Sequence, residues 1–186
     1  MSRVPTADPL LGFVLDFCNT YDLLEDPPDR LSMPLVARLA DRSELPPPGL
    51  ADDDLERVRA VRNQLYEVFA ADSMDAQIGV LNRLFDSYGA TPRLVERRST
   101  SAALGTSAPR LAATGGSDPV ARLAVASADA LARAIAEGAG DRLRTCAGDP
   151  CRCVYVDRSK ANRQRYCCEL CNDRMASAAY RRRKAD

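Results

Sequence analysis

Apolar residues recur three and four positions apart over residues 54–71, at Leu55, Val58, Val61, Leu65, Val68 and Phe69, with one turn skipped. Arg57, Arg59 and Arg62 take the other faces, so the segment reads as an amphipathic helix. Residues 73–88 repeat the pattern, with Ile78, Leu81, Leu84, Phe85 and Tyr88 as the stripe to be buried. Upstream, Ser32 stands where an N-cap belongs, and Leu35, Val36 and Leu39 share one face of a short helix. Asp118 followed by Pro119 forms an N-cap and first-turn pair. Val120, Leu123, Ala124, Leu131 and Ile135 carry that helix forward to Gly138, a residue suited to end it.

Other segments break these periods. Residues 1–10 read as a loose start, and "GFVLDFCNT" (12–20) is a short apolar run that fits helix or strand equally. "EDPPDR" and "ELPPPGLADD" are turns or loops. Residues 92–114 lose the helical period in favour of two short stretches separated by Gly, Ser and Pro, which predicts a small hairpin. No internal repeat or low-complexity tract is present. The expected fold is a mainly α-helical N-terminal domain with a small β-hairpin over 1–140, joined by "EGAGDR" to a small cysteine-rich module over 141–186.

The length of 186 residues suffices for one real core and a small second module. No apolar run approaches the ~18 residues of a membrane span, and the first residues lack a signal-peptide pattern, so the expected location is cytoplasmic. The formal net charge is zero but unevenly spread: from Asp141 onward twelve Lys and Arg face six Asp and Glu. A basic tail of this kind suits an anionic partner, most commonly nucleic acid.

Six of the seven cysteines fall within 146–171. In a reducing compartment such clusters are more often metal ligands than disulfides. Cys146-x4-Cys151 and Cys167-x3-Cys171 form two short-spaced pairs separated by a loop, which is how a chain supplies four soft ligands to one tetrahedral Zn²⁺. They are the preferred set, with Cys151/Cys153 and Cys168/Cys171 as competing pairs. With no histidine in the chain, the ion is expected to be structural rather than catalytic. A knuckle, a hairpin built on "CVYVD" and a helix carrying the last ligands make a treble-clef-like finger. No Gly-rich phosphate loop and no nucleophile with its base is present, so an enzyme is not expected.

If a helix begins near Cys168, steps of three and four align Arg174, Ser177, Arg181 and Lys184, with Arg182 on a neighbouring face. Arg158, Lys160, Arg163 and Arg165 add charge on the loop over the metal. Together these are the candidate nucleic-acid contacts, and contacts of this type to phosphates confer affinity without sequence readout. A protein-docking module and a thiol redox sensor using Cys153 or Cys168 are the alternative readings. Near the N-terminus, Asp16, Asn19 and Thr20 either stitch a turn through side-chain hydrogen bonds or line a ligand pocket.

"LDFCNT" together with "CAGDPCRCVYVDRSKANRQRYCCELCNDR" and its basic helix resembles the CGNR zinc-finger proteins of bacteria, whose N-terminal region is called the ABATE domain. Leu15, Asp16, Phe17, Asn19 and Thr20 match the first motif. Cys146, Cys151, residues 154–157, Ser159, Arg163, Arg165, Tyr166, Cys167 and Cys171 match the second. The name-giving tetrad reads Cys171-Asn172-Asp173-Arg174, keeping only its first and last members. The resemblance implies a zinc finger and a role as a stress-induced transcription regulator, which agrees with the one structural zinc and the DNA partner expected from the residues; in such a regulator the helical domain is where a small molecule or a protein effector is expected to be sensed.

Overall fold

A computed structural model of the chain describes residues 8–43, 49–95 and 109–185. The ambiguous run near the start is helical: α1 spans Pro9–Cys18, with the Asp8 carboxylate accepting from the Leu10 N–H at 3.0 Å and Pro9 in the first turn. The expected loose start is therefore too long by three residues, while residues 1–7 lie outside the described residues. Leu11, Phe13, Val14, Phe17 and Cys18 are buried, and the stacked rings of Phe13 and Phe17 lie 5.3 Å apart. Helix α2 spans Met33–Arg42; Ser32 occupies its N-cap position, but its side chain makes no capping bond.

Helices α3 (Leu55–Ala70) and α4 (Met74–Ser87) form where the periodicity places them, and Ser73 caps α4 through the Ala76 N–H. Two side chains depart from the expected faces. Arg62 is 3% exposed, because positions 58, 62, 65 and 69 form a single stripe. Ile78 is 42% exposed, and its neighbour Gln77 is buried instead, donating to the Gly140 carbonyl at 3.0 Å.

Strands β1 (Thr91–Val95) and β2 (Arg110–Thr114) pair antiparallel in the register Thr91↔Thr114 to Val95↔Arg110, forming the expected hairpin. Its connection, 96–108, lies outside the described residues. Helix α5 (Pro119–Ala134) is the central element, packed against α1, α3, α4 and β2. It is buried on nearly every side, as its alanine-rich sequence permits by letting neighbouring helices approach closely. Gly138, at φ 87°, ends the run that follows α5, a left-handed conformation for which glycine bears no Cβ penalty. Asp129 on α5 accepts from the Ala113 N–H of β2 and from Arg110 and Arg133, which satisfies a nearly buried carboxylate.

The chain then forms β3 (Leu143–Thr145), β4 (Val154–Val156) and α6 (Glu169–Ala185). Leu143, Val154 and Val156 join the same apolar core as α1, α3 and α5. The cysteine module thus shares its inner face with the helical region. Among the described residues, no helix is long and apolar enough to cross a membrane.

Candidate metal centre

Strands β3 and β4 are antiparallel, Leu143 opposite Val156, so the turn between them is the 146–151 knuckle. The partner of "CVYV" lies upstream of the knuckle, not downstream. The knuckle is closed by backbone bonds from Cys146 N–H to the Cys153 carbonyl (2.8 Å) and from Cys151 N–H to the Gly148 carbonyl (2.7 Å). Cys167 precedes α6 and Cys171 occupies its first turn. The sulfurs of Cys146, Cys151, Cys167 and Cys171 all lie within 4.8 Å of one another. Cys167 Sγ is 3.8 Å from Cys151 Sγ and 3.7 Å from Cys171 Sγ. A tetrahedron with Zn–S bonds near 2.3 Å has edges of about 3.8 Å, so the four thiols fit one zinc ion.

Several donors suit a thiolate-rich centre. The Cys167 N–H points to Cys146 Sγ and the Cys153 N–H to Cys151 Sγ, both at 3.4 Å. Arg174 reaches back to the Gly148 carbonyl (2.7 Å) and Cys171 Sγ (3.7 Å). Four thiolates around Zn²⁺ carry a net charge of about −2, which these dipoles and the guanidinium offset. Burial, reinforced by the neighbouring sulfurs, pushes the Cys171 thiol up to about 12, and the same causes raise Cys167. A divalent ion at the centre reverses that preference by favouring the thiolate, so ion binding releases protons. Four protein ligands leave no open position for substrate, as in structural sites.

The surplus cysteines border the four-sulfur set without belonging to it. Cys168 is exposed, with its sulfur 3.8 Å from Cys167 Sγ, and Cys153 is half-buried and turned toward Asp22 rather than into the finger's centre.

The profile described as "Putative stress-induced transcription regulator", ABATE, matches residues 12–145. The chain belongs to the ABATE family. The CGNR zinc finger matches residues 142–184, overlapping the ABATE match across β3. No curated protein matches the chain.

The ABATE motif at the end of α1 holds the finger in place. The Asn19 side chain accepts from the Val154 N–H (2.7 Å) and donates to the Val154 carbonyl (3.0 Å), replacing a neighbouring strand at the edge of β4. Thr20 Oγ1 donates to the Phe17 carbonyl and accepts from Arg62. Asp16 is exposed and pairs with Arg42 at 3.3 Å.

Sequence reasoning missed three residues at this junction. Arg62 donates to both oxygens of Asp29, at 2.6 and 3.0 Å; its place in the stripe of Val58 and Leu65 was the available signal. Arg152, at the exit of the knuckle toward β4, stacks its guanidinium on Tyr21 (4.6 Å) and Tyr66 (4.1 Å), a sandwich between residues distant in sequence that leaves no local signature. Asp157, fully buried, accepts from the Ser159 N–H and hydroxyl and the Gln164 N–H, and thereby folds the loop over the finger. Burial alone would raise its carboxyl, but these bonds and Arg144 hold it below the usual range. A cleft of about 610 Å³ opens beside this junction, lined by Tyr21, Arg59, Arg62, Tyr66 and Arg152 among others, and by none of Asp16, Asn19 or Thr20.

Arg158, Lys160, Arg163, Arg181, Arg182 and Lys184 are exposed, as is Arg183. Arg165 is exposed with its guanidinium over the Tyr166 ring at 5.6 Å. Arg174 is hydrogen-bonded within the finger, so the free stripe along α6 begins at Ser177.

Proposed function

We propose that this chain is a transcription regulator that grips DNA with its zinc finger and α6, while the helical domain senses a small molecule or a protein effector. The observation that supports the reading is a contrast in how arginines are used. In the helical region Arg42, Arg57, Arg59, Arg62, Arg110 and Arg133 are each paired with carboxylates. Among the described residues, no carboxylate pairs with Arg158, Lys160, Arg163, Arg181, Arg182, Arg183 or Lys184, whose charges stay free for phosphates. The cleft beside Arg152 is the place for an effector, because it touches both the helical domain and the knuckle.

The test is binding of the zinc-loaded protein to random duplex DNA across a salt series, beside an Arg181/Arg182/Arg183/Lys184→Ala variant. The expected result is binding that weakens linearly in log salt, with a slope shallower in the variant by up to ~0.9 per contact removed. Absence of binding at low salt overturns it. A protein-docking reading has its own support, since Leu170 (80% exposed) and Tyr180 (61%) stand uncovered on α6. It gains if DNA fails to bind and a Leu170→Ala/Tyr180→Ala variant loses a partner captured by the wild type.

A further inference from the structure

Beside the four-sulfur centre lies a second group of potential ligands that shares Cys151 with it and adds two groups, Asp22 and Cys153, that the zinc finger does not use. Cys151 Sγ, Cys153 Sγ and an oxygen of Asp22 lie within 4.8 Å of one another. Cys153 Sγ is 3.5 Å from Asp22 Oδ2. The other carboxylate oxygen, Oδ1, accepts from the Leu24 N–H at 3.0 Å, which holds the carboxylate with Oδ2 toward the Cys153 sulfur. The three come from two places in the chain: Asp22 from the turn after α1, the cysteines from the knuckle and its exit into β4. Both Asp22 and Cys153 are half-buried, so an ion has access from solvent.

We propose that Asp22, Cys151 and Cys153 form a second, exchangeable site for a borderline or soft divalent ion of the Zn²⁺ type, sharing the Cys151 thiolate with the structural centre. A thiolate sulfur bound to one metal retains lone pairs for another. Two sulfurs and one carboxylate oxygen supply three ligands of a tetrahedron, and water completes it. Binding displaces one proton, from the Cys153 thiol. The incoming 2+ charge is then matched by the new Cys153 thiolate and the Asp22 carboxylate, so the pair of sites carries the same net charge as the structural centre alone. With fewer thiolates and an open position, the second ion binds more weakly than the first. Its occupancy joins the turn after α1 to the knuckle, beside the Arg152 sandwich. The inference does not rest on the DNA reading, and its test contains no nucleic acid.

The experiment is a Zn²⁺ titration of the reduced, metal-free full chain against a chromophoric chelator, with elemental analysis after desalting. The wild type is expected to take up two equivalents, the second at least roughly tenfold weaker than the first. Asp22→Asn and Cys153→Ser should each retain the tight equivalent and lose the second, while Cys168→Ser keeps both. Because Cys153→Ser also alters a half-buried packing contact with the finger, circular dichroism of the one-equivalent form checks its fold, and Asp22→Asn carries the test if that variant does not fold. Uptake of a single equivalent by the wild type overturns the proposal, as does a second equivalent that survives Asp22→Asn or moves to Cys168.

Discussion

Asn19 shows how much one side chain can carry. Its amide meets both polar groups of Val154, so Asn19→Ala leaves an N–H and a carbonyl of β4 without partners at the junction of helix and finger. The expected loss is about 1–3 kcal/mol, read as a lower urea midpoint for the zinc-loaded protein, with zinc stoichiometry unchanged. Asp29 supplies a pH dependence. Its hydrogen bonds from Arg62 hold its carboxyl below the usual carboxylate range. A lowered folded value means that the contribution is present above the unfolded value of about 3.9 and is lost as pH falls through the lower folded one. Asp29→Asn should therefore cost about 1.5–3 kcal/mol at neutral pH, and the gap to wild type should narrow below about pH 4. A gap that stays constant down to pH 3 would contradict the assignment. Arg62 was legible in part, because its spacing from Val58 and Leu65 put it in the buried stripe, but a charged residue in such a stripe needs a partner, and Asp29 is 33 positions away.

At the level of elements, α5 illustrates a helix whose boundaries could be read and whose centrality could not. Asp118 accepts from the Ala121 N–H, Pro119 follows it, and Gly138 ends the run, all local signals. That α5 is wrapped by α1, α3 and α4 follows from tertiary packing alone. Leu131, fully buried in the last turn of α5, should cost about 2–5 kcal/mol when cut to Ala, measured by urea denaturation. Helix α6 behaves in the opposite way. Its basic residues are exposed, so substituting Arg181, Arg182, Arg183 and Lys184 should leave the thermal midpoint nearly unchanged while altering any salt-dependent binding. Arg174→Ala, by contrast, should weaken zinc retention against a chelator, because its guanidinium is bonded to the knuckle carbonyl at Gly148.

For the whole molecule, the shared core is decisive. Leu143, Val154 and Val156 pack among the residues of α1, α3 and α5, so the strands that carry the knuckle also close the helical core. Chelating the zinc should then do more than unfold a tail. The prediction is a lower thermal midpoint for the helical region itself, seen by far-UV circular dichroism in the presence of a strong chelator. An unchanged helical transition after metal removal would mean that the two regions are energetically independent.

What depends on near neighbours could be read from the residues alone: the periodicity of α2 to α5, the Asp118 cap of α5, the turn-separated hairpin, and two cysteine pairs whose spacing suits one tetrahedral ion. Such features arise from contacts within a few residues, and their chemistry is written locally. The tertiary structure decided which residues meet across the chain. It turned "GFVLDFC" into a helix because both ring and aliphatic side chains found a core on one side, and it drew Asn19 to β4, Arg152 between Tyr21 and Tyr66, and Asp22 to Cys153. These pairings join residues more than forty positions apart, and no local pattern encodes them; they exist because packing the helices brings their ends against the metal-bound turn.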